Sequence, residues 1–167
     1  MIVSSRKFRA GRWGVLASVC AGVMLIATAA GAGECPAGKL VASGQGQQAG
    51  ATKPKSVTDT VIGSIKLANE PSVGVQDRQF RLRKLVIKPG GEVPWHSHED
   101  RPAIIYIVQG EVTEYASTCA VPIVHKAGEV ALETHATAHW WKNTGKKTAV
   151  LLSADLLHDQ ADDEHMM

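Results

Sequence analysis

Two of the seven histidines in this 167-residue chain, His96 and His98, stand two positions apart in Pro94-Trp95-His96-Ser97-His98. In an extended strand that spacing puts both imidazoles on one face, about 6.6 Å apart along the chain. Two rings so placed can converge on one ion through bonds of about 2.0–2.1 Å. Taken alone the pair specifies no ligand set, because the same spacing also occurs in solvated or core histidines. A third imidazole, His139, shares strand parity with Trp141 and Asn143, whereas Trp140 faces the other way. Trp141 can then wall a pocket, although a tryptophan there can equally fill barrel core. Arg81 and Arg83 alternate with Phe80 and Leu82. One of these guanidiniums, if turned inward, suits bidentate recognition of a carboxylate; on an edge strand both are ordinary surface arginines.

Positioning these side chains falls to a series of short Val- and Ile-rich runs. They lie near Val57 to Leu67, Gln79 to Ile87, Val93 to His98, Ala103 to Val108, Glu111 to Tyr115, Val121 to His125, Glu129 to Glu133, Ala138 to Asn143 and Thr148 to Asp155. Breakers such as Pro89-Gly90-Gly91, Gly110 and Ala127-Gly128 separate them, and no long 3.6-residue period appears. Eight or nine short strands at this spacing predict an all-β fold, a small antiparallel sandwich or barrel. Ala103 to Val108 is apolar at both parities, so both faces need cover. One face is the interior; the other falls to an N-terminal arm or a second subunit, and a homodimer is predicted.

The order of residues sharpens this picture. Gly90, five residues, His96-Ser97-His98, four residues, Ala103, six residues and Gly110 resembles the first signature of the cupin family. Gly128, five residues, Thr134-His135-Ala136, two residues, His139, three residues and Asn143 has the spacing of the second. The resemblance implies a double-stranded β-helix, the cupin jelly-roll barrel, whose metal would be held by His96, His98 and His139. The first signature normally carries a glutamate where this chain has Ala103, and the second carries proline and glycine where it has Thr134 and Ala136. Losing the glutamate leaves three neutral ligands, so a divalent ion would keep its full charge and attract anions. An apo barrel is the competing outcome of the same loss. Ala103, Trp141, Asn143, Arg81 and Arg83 are the pocket candidates, and Glu133 and His135, beside the turn into His139, are candidate accessory ligands.

The resemblance implies one divalent transition metal (Fe, Mn, Zn, Cu or Ni, since imidazole suits them all). The function expected is the binding, and in an enzyme the dioxygenase-like or Lewis-acid conversion, of a small anionic or phenolic compound. A non-catalytic metal- or ligand-binding barrel is the alternative.

The rest of the chain supplies context. Residues 1–32 read as a signal peptide: Arg6, Lys7, Arg9 and Arg12 precede an uncharged run from Val15 to Ala30, with Ala30-Gly31-Ala32 as a cleavage pattern. Cleavage removes four positive charges and no negative one, turning the formal charge of +2 into −2. That removes the electrostatic motive for nucleic-acid binding, leaves no membrane segment, and predicts a periplasmic or secreted protein. Residues 33–56, rich in Gly, Gln, Ala and Ser, are expected to form a flexible arm, 57–156 the barrel and 157–167 an acidic tail. Cleavage also leaves Cys35 and Cys119, which make no CxxC and in an oxidising compartment read as one disulfide rather than two free thiols. In the loop-entropy picture such a bridge stabilises by roughly 4–5 kcal/mol.

Overall fold

The computed structural model describes residues 34–159. The signal segment expected over residues 1–32 lies outside them, as does the acidic tail from residue 160 onward. The remaining chain is all β apart from two 3₁₀ turns: β1 (Lys55–Lys66), β2 (Arg78–Ser97), β3 (Ala103–Gln109), β4 (Glu111–Ala116), β5 (Ile123–Lys126), β6 (Val130–Glu133), β7 (Ala138–Lys142) and β8 (Ala149–His158). Among the described residues no helix is long and apolar enough to cross a membrane.

All eight strands belong to one sheet of order β5-β4-β7-β2-β8-β3-β6, with β1 paired to β2 off that path. The sheet curls into a nearly closed barrel, in agreement with the expected double-stranded β-helix. Where the sequence suggests two strands, Gln79 to Ile87 and Val93 to His98, the molecule has one. Pro89-Gly90-Gly91 bends β2 without ending it, with Gly90 at φ +73°. Its first half pairs with β8 (Phe80↔Leu156, Ile87↔Ala149) and its second with β7 (Val93↔Trp141, His96↔His139). The bend thus joins the two walls and brings His96 beside His139. Leu85, Ile87, Val93, Ile107, Val112 and Leu151 belong to one buried apolar cluster.

The segment expected to be a flexible arm is laid along the barrel. Cys35 and Cys119 form a disulfide with a sulfur–sulfur distance of 2.03 Å. Backbone N–H groups of Val41, Gly44, Gly46 and Gln47 donate to carbonyls between Ala116 and Cys119, and Trp95 donates to Ala51. Glycine is required at two of these approaches: a Cβ on Gly46 would sit 2.5 Å from the Cys119 oxygen, and one on Gly50 2.4 Å from the Trp140 ring. Composition conceals this docking because backbone bonds, rather than apolar side chains, hold it.

The arm runs elsewhere than over the outer face of β3. Ile104 and Tyr106 remain 55% and 44% exposed. In register they continue a row from Leu132 through Ile104 and Ala154 to Leu82 across β6, β3, β8 and β2.

Candidate metal centre

The three histidines named from the sequence meet inside the barrel. Their Nε2 atoms form a triangle: His96 to His98 3.1 Å, His98 to His139 3.0 Å, and His139 to His96 3.1 Å. Each ring is held from behind through Nδ1. His96 Nδ1 lies 2.8 Å from the Pro94 carbonyl, His98 Nδ1 2.6 Å from the Arg101 carbonyl, and His139 Nδ1 2.7 Å from Glu114 Oε1. All three partners are acceptors, so each Nδ1 carries the proton and each Nε2 presents a lone pair. Three lone pairs within hydrogen-bond distance and no proton between them repel unless a cation sits at their centre. Of the three rings only His139 can take up a further proton there: burial lowers its pKa, but Glu133 and then Glu114 raise it above the ordinary value. Burial, then the neighbouring imidazoles, holds His96 well below the usual histidine range, and burial with His139 brings His98 down to about 3. The triangle fits nitrogen donors around a divalent ion with bonds near 2.0–2.1 Å.

Behind His139 lies an acidic cluster. Buried Glu114, on β4, reaches His139 with one oxygen and His125 Nε2, on β5, with the other at 2.8 Å. Burial alone would raise the Glu114 pKa, but the bonds from His125 and His139 outweigh it and bring it down to about 2. His125 stacks on Trp141 at 4.7 Å between centroids, and Trp141 meets His139 edge-on at 5.6 Å. The Trp141 indole N–H points at the His139 ring, 3.1 Å from Nδ1. Glu133, the register partner of Ala103, also faces inward and places Oε2 3.3 Å from His139 Nδ1. Its Oε1 is buried with no hydrogen-bond partner among the described residues. Burial raises the Glu133 carboxyl to about 8.

On the other side of the triad the barrel wall is cationic. Arg81 makes a bidentate pair with Asp155, at 3.0 and 2.8 Å. Arg83 pairs with Asp59 of β1 and stands 3.4 Å from both Asp155 Oδ2 and Ser153 Oγ. Arg101 places Nε 4.0 Å from the same Asp155. Burial and then Arg83 pull Arg101 down to about 10, which still leaves it charged at neutral pH. Three guanidiniums thus gather around Asp155 and Asp59 on this wall. Arg83 and Ser153 line a cavity of about 20 Å³ together with His96, His98 and Trp141. That volume admits a water or one small polar group.

The sequence-derived candidates thus fall in different places. Arg83 and Trp141 reach the cavity, whereas Arg81 is turned inward but engaged by Asp155. Asn143, expected at the pocket, instead anchors a turn: its amide donates to the Ile87 and Lys147 carbonyls at 2.8 Å and accepts from Gly145 N–H. His135 lies on the surface beside Glu99, its side chain 76% exposed, because the turn points it outward. Glu133 reaches His139 from the Nδ1 side, away from the Nε2 triangle. Glu114, Ser153 and Asp155 carry no motif signal, and His125 and Arg101, which read from sequence as a structural or exposed histidine and a charged rim residue, are buried beside the centre. Parity carries a signal for several of them: Glu114 shares a face with Val112 and Ala116, His125 with Ile123, and Asp155 with Leu151 and Leu157, all buried.

Comparison with known proteins agrees with this architecture. A family model described as a cupin domain matches residues 83–155. Germin-like protein subfamily 2 member 2 of Arabidopsis thaliana is 30% identical over 110 residues, covering 64% of this chain and 50% of that protein. Nectarin-1 of Nicotiana plumbaginifolia is 28% identical over 107 residues, covering 62% and 47%. The chain therefore spans about half the length of these relatives. The crystal structure of a Thermotoga maritima protein described as a predicted oxalate decarboxylase shares the fold, with a TM-score of 0.50 and 21% identity over 71% of this chain and 97% of that one.

Proposed function

The chain belongs to the cupin family, and from that premise we propose that His96, His98 and His139 hold one divalent transition metal that binds a small anionic compound inside the barrel. One observation carries this reading: three imidazoles, each fixed as donor at Nδ1, aim their Nε2 lone pairs at a common point. The bound ion would supply Lewis acidity and, if iron, manganese or copper, a redox couple. The protein's own residues receive the anion. Arg83 offers N–H donors across the cavity, Ser153 a hydroxyl, and Trp141 and Leu85 an apolar wall that excludes water. A free volume of about 20 Å³ favours a carboxylate-sized group over a phenolic ring. The cavity lining contains no carboxylate to act as general base, so any turnover falls to the ion itself. That absence among the lining residues favours, as a second reading, a barrel that binds metal and anion without converting them.

Elemental analysis of protein purified without added metal, for wild type, His96→Ala and His139→Ala, tests the centre. About one ion per chain in wild type and none in the variants supports it; equal content in all three overturns it. Oxygen uptake with small carboxylates then separates turnover from binding. The domain layout belongs to the same proposal, with a signal over 1–32 removed on export, an arm over 33–56, the barrel over 57–156 and an acidic tail over 157–167, the Cys35–Cys119 bridge being formed in an oxidising compartment. An intact Met1 on protein recovered from the cell exterior would refute cleavage. A second copy is proposed to cover Ile104, Tyr106 and Leu132, and light scattering that returned only monomer mass would reject it.

A further inference from the structure

Resting on the metal reading above, we propose that Glu114 is a positioning residue of the centre, with His125 fixing it in turn. The two orient His139 and supply, one ring away from the ion, the negative charge that Ala103 does not. The three ligand rings are not held alike. His96 and His98 lean on neutral backbone carbonyls, and His139 alone leans on a carboxylate. A carboxylate on the far nitrogen fixes the tautomer and makes the near nitrogen a stronger donor. Both Glu114 oxygens are committed, to His139 at 2.7 Å and to His125 at 2.8 Å. His125 stacks on Trp141, and Trp141 closes the circuit edge-on against His139. The ring consists of four side chains from β4, β5 and β7, every one buried. Tilting His139 therefore requires breaking a contact on each side of it.

Glu133 does not share this role. Its contact to Nδ1 is longer, at 3.3 Å, and its other oxygen has no partner to hold it in place. It stands opposite Ala103 in the β3–β6 register, in space that a longer side chain at 103 would contest.

The test is cobalt(II) binding by the full-length protein, read as affinity against a competing chelator and as the visible absorption of the bound ion. Glu114→Gln keeps the acceptor but removes the charge, and is expected to weaken binding 10- to 100-fold and shift the absorption band. Glu114→Asp, which keeps the charge, should recover part of the affinity. His125→Phe keeps the stack on Trp141 but frees one Glu114 oxygen, and should cost a smaller factor with a smaller shift; it also serves if Glu114→Gln does not fold. Glu133→Gln should weaken binding less than Glu114→Gln. An unchanged spectrum and affinity in Glu114→Gln, or in His125→Phe where that is the folded variant, overturns the proposal, as does a loss in Glu133→Gln equal to that in Glu114→Gln. If wild type and His139→Ala bind cobalt equally poorly, the metal reading itself falls and this role falls with it. That pattern is distinct from tight wild-type binding indifferent to Glu114.

Discussion

The imidazole triad sits between two buried charged clusters built on different principles. In front, Arg81, Arg83 and Arg101 share Asp155, with Asp59 behind Arg83, so guanidiniums are held by carboxylates. Behind, Glu114 is balanced by two imidazoles and Glu133 by its own proton. In the proposed function the front cluster receives the anion, through the guanidinium of Arg83 at the cavity. The rear cluster is suited to hold a ring because its charge is committed to two short bonds.

Removing a true ion from the front should be the most damaging change. Asp155→Asn strips the common partner of three buried guanidiniums and is expected to cost about 3–5 kcal/mol in denaturant unfolding. Glu133→Gln at the rear should cost little near neutrality, since the carboxyl is already protonated. It should also alter the pH profile. The native Glu133 pKa is about 8 against an ordinary 4.5, so between those values the native state binds more protons than the unfolded one. Its contribution is present below about pH 4.5 and is lost as pH rises through 8. Glu133→Gln should abolish that decline in the metal-free protein; an unchanged slope would mean that Glu133 takes up no extra proton in the native state.

Ligand binding separates the two clusters in the opposite direction. Arg83→Gln should weaken the binding of a small carboxylate to the metal-loaded protein about 10- to 100-fold, the worth of a charge-assisted hydrogen bond. Metal content should not change. Calorimetry showing equal affinity would remove Arg83 from the site and leave the front cluster a purely structural network.

Acid should release the metal through one ring. Burial lowers the His139 pKa, but its carboxylate neighbours Glu133 and Glu114 outweigh it, and Glu114 keeps its charge once Glu133 has taken up a proton; His96 and His98 are lowered instead. Below neutrality a single proton therefore competes with the ion, and affinity should fall about tenfold per pH unit down to about pH 4. A thousandfold fall per unit would show three rings titrating together and would contradict the protection described for His96 and His98.

Much of this was legible in the sequence because alternation and motif spacing are local. The strands and the shared face of His96 and His98 follow from alternation, and the meeting of both with His139 is what the resemblance to the cupin signatures implies. Register across strands is not local. Nothing near position 114 indicates that β4 lies beside β7, which is what sets Glu114 behind His139. The role of Asp155 likewise depends on β8 pairing with the distant Arg81. The docking of the arm is hidden for another reason: its bonds run from the backbone N–H groups of Gly44, Gly46 and Gln47 and leave no hydrophobic trace. Asn143 matched a motif position whose service here is to a turn rather than to the cavity.

The smallest effect concerns the turn that delivers His139. Ala136 occupies the position where the family's second signature carries glycine, and its φ is +70°, in the left-handed region that a Cβ disfavours. The turn is clamped from both sides: Ser43 of the N-terminal segment donates to the Ala136 carbonyl at 2.7 Å, and the Ala136 N–H donates to Glu99 at 3.2 Å. Ala136→Gly relieves the strain and also loosens the unfolded chain, so a net gain of about 0.5–1 kcal/mol is expected in thermal unfolding. Ser43→Ala should move stability the other way by a similar amount. Metal affinity should be unmoved by either substitution if the carboxylate behind the ring, and not the turn before it, fixes His139. A glycine at 136 that cost metal affinity as heavily as Glu114→Gln would transfer the positioning of His139 from the rear cluster to the turn.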